Sequence, residues 1–139
     1  MTYRVSTIIN PKLRSISTVR HITSEDGYSW INRLIGSSIF TFVRLYENED
    51  GVYLDDEGLF AENQHFWIHK NYPTPLAGIG VFIGIDNRGD ICPPNISNKE
   101  FSTHIEFIGN ANDLKLQMRK ANIIDEDYRS AFFEGDKYA

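Results

Sequence analysis

The stretch Gly78-Ile79-Gly80-Val81-Phe82-Ile83-Gly84-Ile85 decides the fold class. Ile79, Val81, Ile83 and Ile85 alternate with Gly80, Phe82 and Gly84, which is the period of a β-strand. The second face carries one ring between two glycines, so a bulky side chain or a packed helix is expected to approach the backbone there. The glycines read G-x-G-x-x-x-G and lie inside the strand. They meet neither the dinucleotide nor the phosphate-loop fingerprint, which needs a glycine turn ahead of a helix.

Working outward, Asp86-Asn87-Arg88-Gly89 turns the chain into a short strand at Asp90–Cys92, which Pro93 and Pro94 stop. Upstream, Phe66–His69 is aromatic and β-branched and ends at Tyr72-Pro73-Thr74-Pro75. Ile39–Tyr46 and Val52–Leu54 form strands about a hairpin turn, Asn48-Glu49-Asp50-Gly51, with Gly51 expected at positive φ. Asp55-Asp56-Glu57-Gly58 is a second turn. Tyr3–Asn10 and Ile16–Thr23 pair about Asn10-Pro11-Lys12, and Thr103–Ile108 is a further strand.

Helices are fewer. Ser24 caps one running to about Ile35, burying Tyr28, Ile31 and Ile35 and stopped by Gly36. Asn112 caps another with Leu114, Met118 and Ala121 on one side. Asp125 caps a short last helix burying Tyr128 and Phe132. Hairpin-linked strands with two or three helices predict an α+β fold with a mostly antiparallel or mixed sheet. The chain, 1–139, is expected to be a single domain on which 112–139 packs as a helical C-terminal extension.

At 139 residues, 41% hydrophobic and 24% charged, the composition is that of one globular domain rather than a disordered chain. Cys92 is the one cysteine, so an intrachain disulfide and a cysteine-rich zinc site are excluded. It is expected to be a buried, inert thiol in a reducing cytoplasm. The apolar runs are too short to span a bilayer, and Met1–Ser6 lacks the apolar core of a signal peptide. No membrane association is expected.

The formal net charge of -5 conceals an uneven distribution. Residues 1–44 carry six bases and two acids, net +4; residues 47–62 carry seven acids and no base, net -7. Solvated turns account for such blocks, but they also suit a surface that selects an oppositely charged partner. Arg4, Lys12, Arg14 and Arg20 sit near one hairpin, yet the chain is acidic as a whole, so direct nucleic-acid binding is not expected. The acidic stretch could instead mimic a phosphate backbone.

His65 and His69 are four apart, which on a helix would allow a shared metal. On a strand they lie roughly 13 Å apart, too far for one ion. No metal and no cofactor is expected. A partly buried structural strand is the favoured reading of His65-Phe66-Trp67-Ile68-His69. The sharper reading makes His65, Trp67 and His69 an exposed polar-aromatic face. Asp50, Asp55, Asp56 and Glu57 lie in glycine-marked turns without an EF-hand register, and are expected to be solvated. No G-x-S-x-G, Walker A or kinase signature is present.

From about Tyr3 to Phe107 the chain resembles a small domain of unknown function found in bacteriophages and mobile elements. The resemblance runs through Thr7-Ile8-Ile9-Asn10-Pro11, Leu34-Ile35-Gly36 and Ile39–Leu45. It continues through Val52–Leu59, Pro75–Val81 and Asp86–Asp90. It implies a phage-like origin and a cytoplasmic accessory role, and it carries no catalytic residues.

These features together suggest a non-enzymatic binding protein, a phage-type factor that blocks a host protein. Tyr53, Asp55, Asp56, Glu57, His65, Trp67 and His69 are its candidate contacts. The alternative is an oligomeric protein that sequesters a nucleotide signal, with rings stacked on the base and Arg14, Arg20 or Arg44 on phosphate. A small enzyme using the acids or the histidines is a third reading.

Overall fold

Gly80–Ile85 runs through the middle of the larger of two sheets. The computed structural model describes residues 3–22, 29–36, 40–58 and 63–120. In chain order these form β1 (Tyr3–Asn10), β2 (Ser15–Ile22), α1 (Ser29–Ile35), β3 (Phe40–Arg44), β4 (Gly51–Asp55) and β5 (His65–His69). There follow β6 (Leu76–Ala77), β7 (Gly80–Ile85), β8 (Ile91–Cys92), α2 (Asn98–Thr103), β9 (Ile105–Asn110) and α3 (Ala111–Lys120). The larger sheet has the order β2-β1-β7-β4-β3, with β8 pairing β7; the smaller has the order β6-β5-β9. Every strand pairing among the described residues is antiparallel, and the fold is α+β.

The side-chain alternation of β7 sorts the core into layers. Val81 and Ile83 point to the side where Trp30 and Ile31 of α1 lie, together with Ile8 of β1. Phe82 points to the other side, where Ile9, Val52 and Leu54 meet Trp67 of the smaller sheet. The far face of that sheet, Phe66, Ile68 and Ile108, is covered by Leu114 of α3. The layers therefore run α1, larger sheet, smaller sheet, α3. The register keeps each set together: Ile9 stands opposite Gly80, Val52 opposite Phe82 and Tyr53 opposite Val81. Each large apolar side chain buried this way contributes about 1.5–3 kcal/mol relative to exposure.

Gly80 is the seat of Trp67. A Cβ there would stand 3.0 Å from the indole Cζ2, and the indole N–H donates to the Gly78 carbonyl at 3.1 Å. The bulky group expected over the glycine face is thus a tryptophan from the facing sheet.

Several local expectations change. Gly51 does not take positive φ. Glu49 does, at 75°, and Gly51 is required because a Cβ would strike the Val43 carbonyl and the Phe42 ring. A helix, α2, precedes the strand expected from Thr103, so that strand begins at Ile105. Helix α3 begins at Ala111, where Asn110 and Asp113 exchange reciprocal side-chain to backbone bonds at 3.0 Å each. The cap is therefore Asn110, not Asn112. Gly36 does end α1, at φ 80°, its N–H donating to the Asn32 carbonyl. The expected cap Ser24, the buried Tyr28, Ala121 and the helix from Asp125 lie outside the described residues.

Candidate functional site

A cleft of about 780 Å³ opens at one end of the larger sheet. Val5, Thr7 and Thr18 of the β1–β2 hairpin and Phe82 of β7 form its floor, and the chain from Ile91 to Asn98 forms its wall. The pairing of Thr7 with both Thr18 and Phe82 brings these strands side by side. Val5 lines the cleft and is 59% exposed. Hydroxyl and amide groups of Ser6, Thr7, Thr18, Ser97 and Asn98 are interspersed with apolar Val5, Phe82, Ile91, Pro93, Pro94 and Ile96. None of these lining residues is charged.

The wall is anchored at several points. The Thr7 hydroxyl donates to Asn98 Oδ1 at 2.8 Å. Ser97 caps α2, accepting the Glu100 N–H. Phe101 of α2 stacks on Phe82 with ring centroids 4.2 Å apart. A Cβ on Gly84 would stand 2.8 Å from the Pro93 carbonyl oxygen, so only glycine lets the two prolines cross β7 this closely.

The turn between β3 and β4 fastens the rest. Asp50 is fully buried, and its carboxylate accepts the Ile96 N–H at 2.8 Å and the Asn95 amide at 3.3 Å. Its expected solvation is therefore corrected: the backbone carbonyl of Asp50 closes the turn onto Leu45 and Tyr46, and that draws the carboxylate inward. Tyr46, which the sequence did not single out, and Asp50, read there as solvated, are the residues of the turn that contact the wall and the residue after α2.

Tyr46 also joins two histidines. The Asn71 N–H donates to His69 Nδ1 at 3.0 Å, which leaves the proton of the neutral ring on Nε2. His69 Nε2 is 2.9 Å from the Tyr46 hydroxyl, and that hydroxyl is 2.7 Å from His104 Nδ1. His69 therefore donates to the Tyr46 hydroxyl oxygen, and the same hydroxyl is hydrogen-bonded to His104. Burial, helped by the charges of His104 and Lys70, pulls His69 down to about 3 and keeps it neutral. Burial, with Glu100 and Asp50 adding to it, pushes the Tyr46 phenol well above its ordinary range. The relay binds β5, the β3–β4 turn and the end of α2 to one another, and none of its three side chains lines the cleft.

The candidates drawn from the sequence do not form one surface. Trp67 and His69 are both 0% exposed, so the reading of an exposed face at His65, Trp67 and His69 is corrected; the facing sheet and Phe101 cover them. His65 is half-buried at the start of β5. Tyr53 packs between Phe40 and Phe42, with centroids 5.1 and 5.2 Å away, on the opposite face of the larger sheet. Asp56 and Glu57 are exposed and Asp55 half-buried, its carboxylate capping the Glu57 N–H. They lie at one end of β4, while Glu47 and Glu49 lie at the other, roughly 16 Å away at a strand's rise. Glu49 is paired with Arg44 at 3.1 Å. The acidic segment is therefore divided between the two ends of a strand. Glu62 lies outside the described residues.

Of the arginines proposed for phosphate, Arg14 donates to the Phe107 and Ile108 carbonyls at 3.3 Å, Arg44 holds Glu49, and Arg20 is exposed on β2 opposite Val5. Cys92 is half-buried on the cleft wall rather than fully buried, and desolvation and the Asp86 and Asp50 carboxylates raise its thiol pKa. Among the described residues no three His, Cys, Asp or Glu side chains are placed to hold a metal ion, and no helix is long and apolar enough to cross a membrane.

No known protein family matches the chain, and no solved structure does. The chain is similar to Uncharacterized protein y4iR of Sinorhizobium fredii (strain NBRC 101917 / NGR234), 26% identical over 102 residues. That match covers 73% of this chain and 62% of the relative, so it spans less than two thirds of the relative's length.

Proposed function

We propose that this chain is a non-enzymatic binding protein that takes an uncharged segment of a partner protein into the cleft between the β1–β2 hairpin and the α2 wall. The observation that carries this reading is the lining: among the described residues, apolar surface with neutral hydroxyl and amide groups and no charged side chain. Such a lining suits a peptide with small polar and apolar side chains. The resemblance to phage and mobile-element domains makes a host protein the partner to seek first. The divided acidic segment supports the cleft over the acidic turn as the contact surface.

Capture of bacterial proteins on immobilised chain tests this, with wild type compared with Val5→Glu and with the pair Asp56→Asn, Glu57→Gln. A charge in the cleft should abolish capture of the partner at an unchanged melting temperature. The acidic-turn variant should retain it. Capture indifferent to Val5→Glu, or lost only in the acidic-turn variant, overturns the cleft reading. A nucleotide panel that raises the melting temperature would favour the small-ligand alternative.

A further inference from the structure

We infer that Asn98 is the specificity-determining residue of the cleft: Thr7 holds its side-chain oxygen, and its amide N–H groups donate to a main-chain carbonyl of an extended partner segment. The inference rests on the cleft being the binding site, and names how the segment is recognised there.

Asn98 is the first residue of α2 and stands half-buried on the wall. Thr7 of β1, on the floor, is buried. A hydroxyl so placed needs a partner within the protein, and it donates to Asn98 Oδ1 at 2.8 Å. Both residues line the cleft, so the bond joins floor to wall inside it. A side-chain amide carries one acceptor oxygen and two N–H donors. The oxygen of Asn98 is taken by Thr7. Its nitrogen, on the same carbon, lies beside that bond, and among the described residues nothing accepts from it.

This nitrogen differs from the other polar groups of the cleft. The hydroxyls of Thr18 and Ser97 can rotate and can donate or accept, so they discriminate little between ligand groups. The nitrogen of Asn98 can only donate, and the bond to Thr7 sets its direction. A segment that covers it without offering an acceptor leaves a donor dehydrated and unpaired, which is costly. The neighbouring amide of Asn95 is not available for this, because it donates to the Asp50 carboxylate.

The acceptor follows from the surroundings. No lining residue is charged, so a neutral acceptor fits better than a carboxylate. The main-chain carbonyls of a helix are bonded within the helix except in its last turn. An extended segment presents free carbonyls whatever its side chains, and recognition of that kind gives affinity through the main chain. The apolar Val5, Phe82, Ile91 and Ile96 are then left to receive its side chains.

Octapeptides of random uncharged sequence, displayed on phage and selected on the immobilised chain, supply the probe. The best binder is synthesised, and its affinity is measured by fluorescence anisotropy. It should be lost in Val5→Glu and weakened at least tenfold in Asn98→Leu. Asn98→Asp should bind no better than Asn98→Leu, although it keeps an oxygen for Thr7 and an acid suits the first turn of a helix. Thr7→Val should weaken binding several-fold by freeing the amide to turn. In an alanine scan of the peptide, every variant should lose the same factor on Asn98→Leu as the parent does. Affinity unchanged in Asn98→Leu overturns the inference. So does affinity raised in Asn98→Asp, which would mean that the oxygen faces the ligand. A single peptide side chain whose removal abolishes the Asn98 effect overturns the main-chain contact. Should Asn98→Leu not fold, Asn98→Asp decides. Binding lost in Val5→Glu but indifferent to Asn98 leaves the cleft reading standing. Binding indifferent to Val5→Glu, or a selection that returns no peptide, overturns both.

Discussion

The carboxylate of Asp50 accepts the backbone N–H of Ile96 at 2.8 Å, across 46 residues of chain. A turn joining two adjacent strands thereby positions a distant segment that bears the cleft wall. Tyr46, four residues earlier, reaches His104 across 58 residues and holds the far end of the same segment. A hairpin loop is ordinarily the most tolerant part of a sheet. Here it is a fastener, and its burial follows from that.

Removal of the Asp50 side chain should therefore be expensive. Asp50→Ala deletes a charge-assisted bond and leaves the Ile96 N–H unpaired in a buried place. A loss of about 2–4 kcal/mol is expected, with Asp50→Asn losing less because an amide oxygen can still face Ile96. Urea unfolding monitored by tryptophan emission measures both. A loss within about 0.5 kcal/mol, as for an ordinary surface residue, would contradict the fastener.

The two glycines of β7 should respond differently to a methyl group. At Gly80 the nearest neighbour of a Cβ is the edge of the Trp67 indole at 3.0 Å, a side chain with some freedom to shift. At Gly84 it is the Pro93 carbonyl at 2.8 Å, with Pro94 Cα at 3.1 Å, both backbone. Overpacking of a filled core costs about 1–3 kcal/mol. Gly84→Ala should exceed Gly80→Ala and should also change the reactivity of Cys92, since the displaced segment is the cleft wall. Equal effects on stability, with no change at Cys92, would count against this account.

The fold class was legible because β7 and its neighbouring hairpins carry period-two patterns that no helix shares. The alternation of Ile79, Val81, Ile83 and Ile85 with Phe82 held, and both faces found the cores it required. Helix α2 escaped because six residues are too few to show a helical period, although Ser97-Asn98-Lys99-Glu100 has the spacing of a capping box. The candidate site was less legible. Asp50 has the composition of a turn, and only its contact with Ile96 shows why it is buried. Trp67 and His69 alternate as an exposed face would, but a second sheet layer covers them, and strand periodicity does not report how many layers a protein has.

The cap of α3 offers a direct choice between two asparagines. Asn110 and Asp113 satisfy each other's backbone N–H groups, whereas Asn112 lies within the first turn, exposed. Asn110→Ala should cost about 1 kcal/mol, the usual worth of an N-cap, and Asn112→Ala within about 0.5 kcal/mol. The reverse order in urea midpoints would return the helix start to Asn112.

The buried His69 sets a pH dependence of stability whose sign follows from its direction of shift. Its folded pKa is lowered to about 3 from an ordinary 6.5, so the unfolded chain takes up a proton that the folded chain refuses. The contribution to stability is complete above about pH 6.5 and is lost as pH falls toward 3, at roughly 1.4 kcal/mol for each unit of pH. Urea midpoints between pH 6 and 4 should therefore fall steeply. In His69→Gln, which cannot titrate, the starting stability should be lower, because the Tyr46 and Asn71 bonds are disturbed, but the slope should be shallower by about that amount. An unchanged slope in His69→Gln would mean that the proton is taken up elsewhere, and that the relay tolerates a charged His69.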